Sequence, residues 1–193
     1  MRKVFFVVLA FIFVIVVGCG NKNKQSTTQL IPEITKAEAK VKLDEMSKGL
    51  DVYYDDMKGF TICRCNYATD YSSVIVPAVI VLDDFKVSLV YHVLYSGREP
   101  LRFDTLYVKT VDGVKSFKFD KVSTLYGHVV VEEYKGNMSD EVYKTLKTAV
   151  SAGYAKIRLE GRQMDERELT QEELSEYAKV FSIYEFFSNV KVK

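Results

Sequence analysis

The sequence contains no tryptophan, only three prolines and three cysteines, and almost no net charge. Three cysteines are too few to staple a small domain with disulfides. With 48% hydrophobic residues, the chain is not disordered. With a formal net charge of +1, the chain lacks the excess of basic residues that is typical of nucleic-acid-binding proteins, so no nucleic-acid partner is expected. The absence of tryptophan removes the usual compositional support for glycan binding.

The first eighteen residues have the composition of an export signal. Arg2 and Lys3 precede an unbroken apolar run over residues 4–17, which is shorter than the roughly 20 residues of a membrane span. A positive start, a short apolar stretch and a small residue before the cut describe a signal peptide. We therefore predict that residues 1–18 are a removable leader. An ordinary secretory signal and a short N-terminal anchor helix are the alternatives.

The end of this leader is similar to a known motif. Val16-Val17-Gly18-Cys19 resembles the lipobox of bacterial lipoproteins. The resemblance implies that the Cys19 sulfur receives a diacylglyceryl group and that Cys19 becomes the mature N-terminus. The protein would then be lipid-anchored to the cell membrane and face the extracytoplasmic side. Two acyl chains hold a protein firmly, whereas one holds it only marginally.

The residues after the leader divide into a tether and a domain. Residues 19–33 begin with the lipidated cysteine and are largely polar, which predicts a flexible tether. The tether could extend at most about 40 Å and averages about 20 Å as a random coil. No interior linker or repeat interrupts residues 34–193, which we interpret as one domain.

Local patterns predict an α+β domain. A capping box at Thr35 and Glu38 starts a helix over about 36–48, and Ser139 and Thr170 start two C-terminal helices. Short β-branched and aromatic runs joined by turn residues predict an antiparallel sheet or sandwich-like core of about seven strands. The predicted strands are 60–66, 74–82, 87–95, 103–111, 114–119, 129–134 and 155–160. Pro77 places its strand at a sheet edge or at a bulge, and Asp112-Gly113 predicts a hairpin turn.

The last predicted strand suggests a partner-binding residue. The segment from Ala155 to Gly161 is similar to a late A-x-I-R-x-x-G strand in uncharacterised bacterial lipoprotein domains, a resemblance that supports the fold and carries no activity. Strict alternation predicts Ala155, Ile157 and Leu159 in the core. Arg158 then faces outward, where it is either part of a solvated face or helps a partner to dock, since arginine is enriched at interfaces.

Two groups of residues could carry chemistry. Cys63-Arg64-Cys65 and the two histidines, His92 and His128, are the candidates for a metal or redox site. Half-buried structural thiols are the simpler interpretation, with a strained disulfide as the alternative. His92 lies between apolar residues and is expected to be a structural core histidine. Neither a cofactor nor a metal ligand is assigned.

Paired acidic residues recur along the chain, but neighbours on a strand point to opposite faces, so we interpret them as turns, helix starts and solvated faces. The pairs are Asp44-Glu45, Asp55-Asp56, Asp83-Asp84, Glu132-Glu133 and Glu172-Glu173. No familiar catalytic motif is present and no catalytic residue is assigned. The sequence therefore favours a non-catalytic binding or envelope-support domain with a protein partner in the envelope. The alternative is an envelope-associated hydrolase. A solute receptor is disfavoured because such receptors close two lobes around a ligand.

Overall fold

A computed structural model of the chain describes residues 31–66 and 73–193. These residues form three helices and twelve strands, so the predicted α+β class is confirmed. The helices are α1 (Lys36–Met46), α2 (Asp140–Ala152) and α3 (Gln171–Ser188). The strands in chain order are β1 (Glu33–Ile34), β2 (Asp51–Asp55), β3 (Phe60–Arg64), β4 (Ser73–Leu82), β5 (Val87–Gly97), β6 (Thr105–Thr110), β7 (Gly113–Lys118), β8 (Ser123–Tyr126), β9 (Val130–Asn137), β10 (Lys156–Glu160), β11 (Met164–Glu168) and β12 (Lys191–Val192). The leader, Cys19 and the tether up to residue 30 lie outside the described residues.

The helix ends follow the predicted capping residues. At the start of α1, the Thr35 hydroxyl accepts from the Glu38 N–H at 3.2 Å, and the Glu38 carboxylate accepts from the Thr35 N–H at 2.8 Å. Ser139 caps α2, which ends at Gly153 in the left-handed conformation with φ of 64°. Glycine adopts this conformation without the steric cost that a Cβ imposes, so it terminates the helix.

The strands form three sheets. The first has six antiparallel strands in the order β2-β3-β4-β5-β9-β8, and the second has four antiparallel strands in the order β11-β10-β6-β7. A parallel pair, β1 with β12, makes the third. The predicted count of about seven strands was too low. Strand β11 reads Met-Asp-Glu-Arg-Glu and carries none of the apolar alternation that predicts a strand.

Pro77 occupies neither an edge nor a bulge. Strand β4 lies between β3 and β5, and its register with β5 runs without interruption. In an antiparallel pair the N–H and C=O of one residue point to the same neighbour. The Pro77 carbonyl accepts from the Cys65 N–H at 3.3 Å, so its ring nitrogen faces the side where β3 has already ended at Arg64. The absence of an N–H at Pro77 therefore removes no hydrogen bond between the strands.

The hairpin between β6 and β7 is confirmed, but its turn lies one residue earlier than predicted. The two turn residues are Val111 and Asp112, and Gly113 is the first residue of β7, paired with Thr110. Gly113 takes a φ of 114°, a value that L side chains rarely adopt.

The core lies between the sheets and the helices. Helix α3 packs on β4 and β5, and α2 packs between α3 and β6. The Tyr177 hydroxyl of α3 donates to the Ile75 carbonyl of β4 at 2.5 Å, deep in the core. The predicted inward residues of β10, Ala155, Ile157 and Leu159, are fully buried, as the alternation requires.

A buried carboxylate joins the two larger sheets. Glu132 of β9 is fully buried, and both of its oxygens accept from the Arg102 N–H at 2.8 Å. Arg102 lies in the connection from β5 to β6 and has a positive φ of 52°, a conformation that is strained for a non-glycine residue. A Cβ at Gly161 would collide with the Arg102 carbonyl of the same connection, so only glycine fits there.

A second polar contact ties β11 to the six-stranded sheet. The Ser73 hydroxyl at the start of β4 donates to Asp165, and the Arg167 guanidinium donates to the Ser73 carbonyl. Arg167 also pairs with both oxygens of Glu173, at 2.6 and 2.8 Å. Because Glu173 closes the capping box of Thr170, this pair also anchors the N-terminus of α3.

The first test concerns the carboxylate that joins the sheets. Glu132→Ala leaves the Arg102 N–H without an acceptor and opens a cavity, so we expect a loss of about 3 kcal/mol in the free energy of unfolding. Glu132→Gln keeps one acceptor oxygen and should lose only about 1 kcal/mol. Urea denaturation of the two variants measures both values. Equal, small losses would contradict the assignment.

Candidate functional site

The six-stranded sheet has one face that no described helix covers. The cross-strand pairs Val76 with His92 and His92 with Lys135 place these three side chains on this face. Ala78 pairs with Val90 on the same face. We call this surface the open face. It carries a shallow groove of about 450 Å³, and every residue that lines the groove belongs to β3, β4, β5 or β9.

The groove has an apolar floor and charged rims. Val76 and Ala78 are 3% and 6% exposed and form the floor. Arg64 at one rim donates to Asp51 of the neighbouring edge strand β2 at 2.6 Å. Lys135 lies at the other rim. Such an arrangement suits a ligand or partner with an apolar body, because the lining combines apolar side chains with polar groups at the rims.

A three-residue polar network lies at the Lys135 rim. Glu133 accepts from the Lys135 ammonium at 3.0 Å, and its other oxygen lies 3.0 Å from His92 Nε2. Burial lowers the pKa of His92, and the nearby Lys135 charge lowers it further, against the opposing effect of Glu133. Burial raises the pKa of Glu133, but the hydrogen bond and charge of Lys135 outweigh it, so this pKa is lowered. At neutral pH the network therefore holds a neutral imidazole beside a carboxylate.

His92 was predicted as a hydrogen-bonded structural histidine among core residues; its placement in the core was wrong, whereas the hydrogen bond is present. Its neighbours Tyr91 and Val93 point into the core, whereas His92 points to the open face with 20% of its side chain exposed. Strand period two places successive side chains on opposite faces. The apolar residues around His92 in the sequence therefore do not surround it in space. His128 is exposed in the β8–β9 turn.

The paired acids Glu132 and Glu133 also divide between the two faces. Glu133 belongs to the open face, as expected for a partly solvated position, but Glu132 is fully buried and was missed. The sequence did contain a signal for this burial. Glu132 lies two residues from both Val130 and Tyr134, so it shares the strand face of these two apolar residues.

Cys63 and Cys65 are free thiols buried at 0% and 2% exposure, more deeply than the half-buried prediction. Burial raises the pKa of Cys63 to about 11, and burial also raises the pKa of Cys65. Both thiols are therefore protonated at neutral pH, and the thiol form is a poor nucleophile and metal ligand. Within residues 31–66 and 73–193, no cluster of three or more His, Cys, Asp or Glu side chains could hold a metal ion.

Arg158 lies on the outward face of β10, as the alternation predicted. Its guanidinium donates to Glu166 of β11 at 2.7 and 2.9 Å, and Lys156 pairs with the same carboxylate at 2.5 Å. About 40% of the Arg158 side chain is exposed. The structure thus brings Arg158 into an ion-pair network on the four-stranded sheet, separate from the groove on the six-stranded sheet.

Comparison with known proteins adds no assignment. The chain matches no family model, and neither a curated protein nor a solved structure is significantly similar to it. Among the helices of the described part, none has the length and hydropathy needed to cross a membrane.

The pKa of His92 makes a prediction about stability. Unfolded histidine binds a proton below a pKa of about 6.5, whereas folded His92 resists protonation because its pKa is lower. The unfolded state then holds more protons, so the free energy of unfolding is highest above about pH 6.5 and declines as the pH falls below it. His92→Gln should make this decline shallower.

Thermal melts of the wild type and His92→Gln from about pH 8 to pH 5 measure this difference. The lowered pKa of Glu133 acts below its ordinary value of 4.5, outside this range. Parallel curves for the two proteins would contradict the proposed environment of His92.

Proposed function

We propose that this chain is a bacterial lipoprotein whose domain binds an envelope protein on the extracytoplasmic side of the membrane without catalysing a reaction. The observation that carries the proposal is the order of the sequence features in residues 1–19. Basic residues, an apolar run, and Val16-Val17-Gly18-Cys19 follow each other at the spacing of a lipobox. Removal of residues 1–18 leaves 25 basic against 26 acidic residues, so anionic headgroups would add no attraction and the lipid must supply the attachment.

The open face supports the binding part of the proposal. A groove lined by apolar side chains and a few polar groups is a common feature of binding sites. The charged groups at its rims, Arg64 and Lys135, already have carboxylate partners within the domain. Because these rim charges are already paired within the domain, they can orient a partner without requiring the partner to be charged. The proposed docking role of Arg158 is separate and would involve the four-stranded sheet.

One observation favours an envelope-associated hydrolase as the second candidate. His92 is a neutral imidazole held by Glu133 at the groove, an arrangement that orients a general base. The residues that line the groove include no serine, threonine or cysteine, so water would be the nucleophile. Hydrolytic turnover that disappears in His92→Gln would favour this candidate over a binding domain.

The anchor is tested at Cys19. Cys19→Ser removes the sulfur that would carry the diacylglyceryl group, so the variant should lose incorporation of labelled palmitate and retain residues 1–18. Metabolic labelling followed by mass spectrometry of the N-terminus measures both effects. A variant that still takes up label and matures normally would refute the lipobox interpretation.

The binding face is tested by photo-crosslinking in living cells. A photoreactive residue at position 62, on the open face, should capture a protein partner, because Ile62 lines the groove. The matched control is position 114, which is exposed on β7 of the other sheet. Ala78→Phe, which fills the groove floor, should reduce capture from position 62. Capture that is equal at both positions, or unchanged by Ala78→Phe, would argue against the open face as the binding surface.

A further inference from the structure

Three segments meet at one end of the six-stranded sheet. The β2–β3 turn at 56–59 and the β4–β5 turn at 83–86 are joined by a hydrogen bond from the Asp83 N–H to the Gly59 carbonyl at 3.1 Å. Phe85 in the second turn stacks on Phe187 near the C-terminus of α3, with ring centroids 5.6 Å apart. Strand β12 follows α3 directly and pairs with β1, the first strand of the described chain. We call this end the tether end.

The opposite end carries the β8–β9 turn. Gly97 at the end of β5 pairs with Val130 at the start of β9, so the turn at 127–129 lies beyond this pair. Strand β4 runs between the two ends with ten residues, a length of about 33 Å.

Each end exposes a group of large apolar or aromatic side chains. At the tether end, Met57 is 93% exposed, and Tyr53 and Tyr54 nearby are 57% and 56% exposed. At the opposite end, Leu125 and Tyr126 are 61% and 71% exposed. Composition alone does not decide which group would touch a membrane, because aromatic and apolar side chains suit the bilayer interface at either end.

The position of the tether decides between them. Eleven residues, 20–30, separate the lipobox cysteine from Ile31, which leads into β1 at the tether end. A chain of this length averages about 20 Å as a random coil and reaches about 40 Å only when fully extended. If the Leu125–Tyr126 end touched the bilayer, most of the 33 Å sheet would lie between the bilayer and the point where the tether joins the domain. The tether would then have to be almost fully extended.

We infer that the tether end rests on the lipid bilayer, with Met57 inserted at the headgroup boundary and Tyr53 and Tyr54 beside it. The inference rests on the proposed lipid anchor and adds the orientation of the domain to it. The insertion is shallow, because β2 is an edge strand whose unpaired backbone groups need water. The opposite end then projects away from the membrane.

The tether end has no excess of basic residues. Lys86 pairs with Asp84 at 2.6 Å, and Lys191 pairs with Glu33 at 3.2 Å. Among the described residues, five lysines and six carboxylates lie in these segments and at the start of α1, namely Lys36, Lys58, Lys86, Lys191, Lys193, Glu33, Glu38, Asp55, Asp56, Asp83 and Asp84. The contact is therefore apolar in origin, and we expect it to persist in vesicles without anionic lipid.

Depth-sensitive fluorescence tests the orientation. The full lipidated chain carries an environment-sensitive fluorophore on Met57→Cys or, as the matched control, on Tyr126→Cys, and is reconstituted into phosphatidylcholine vesicles containing a lipid with a nitroxide on its headgroup. Cys63 and Cys65 are buried, so the unsubstituted chain should take no label. We expect strong quenching at position 57 and background quenching at position 126.

The outcomes separate the two proposals. A chain that carries no lipid at Cys19 would refute the proposed function before any fluorescence is measured. A lipidated chain that is quenched at position 126, at both positions or at neither would refute the orientation and leave the anchor intact. Quenching at position 57 that appears only when phosphatidylglycerol is added would also overturn the inference, because an end without a basic excess should make contact without anionic lipid.

Discussion

The packing of this domain depends on one buried carboxylate. Glu132 accepts the Arg102 N–H within the core and so fixes the connection between the six-stranded and four-stranded sheets. Gly161 lies against the backbone of the same connection, where no larger residue fits. A buried carboxylate is costly unless its oxygens are hydrogen-bonded, and the strained backbone at Arg102 persists only because its neighbours hold it. The two sheets therefore keep their arrangement through polar contacts, this one and the contact between Ser73 and β11, while apolar burial supplies most of the stability.

Local physics explains what could be predicted from the sequence. The capping boxes were identified correctly because a side chain three residues away satisfies the free N–H groups of a first helical turn. The alternation at 155–160 identified its buried residues because strand period two fixes the face of each side chain. Neither pattern depends on distant parts of the chain. The overall α+β class follows from the same local patterns.

Features that depend on distant neighbours were missed or misplaced. Pro77 is tolerated in a central strand because β3 ends beside it, and no local pattern contains that information. His92 has apolar sequence neighbours but faces away from the core, so its partners come from β9. In the sequence Glu132 looks like a solvated acid, because its contact with Arg102 is formed only in the folded chain. Each of these positions is determined by what the fold brings next to it.

The same reasoning explains why the open face is the candidate site. Helix α3 packs on the side of β4 and β5 that carries Ile75, and α2 and α1 pack on α3, so the described helices share one side of the sheet. A sheet with only one covered face usually alternates apolar and polar residues. Strand β4 instead presents Val76 and Ala78 on its uncovered face. Both side chains are only 3% and 6% exposed, so they already contribute burial energy within the domain. The open face is the candidate site because an apolar-lined groove lies on it at a position that no described helix occupies.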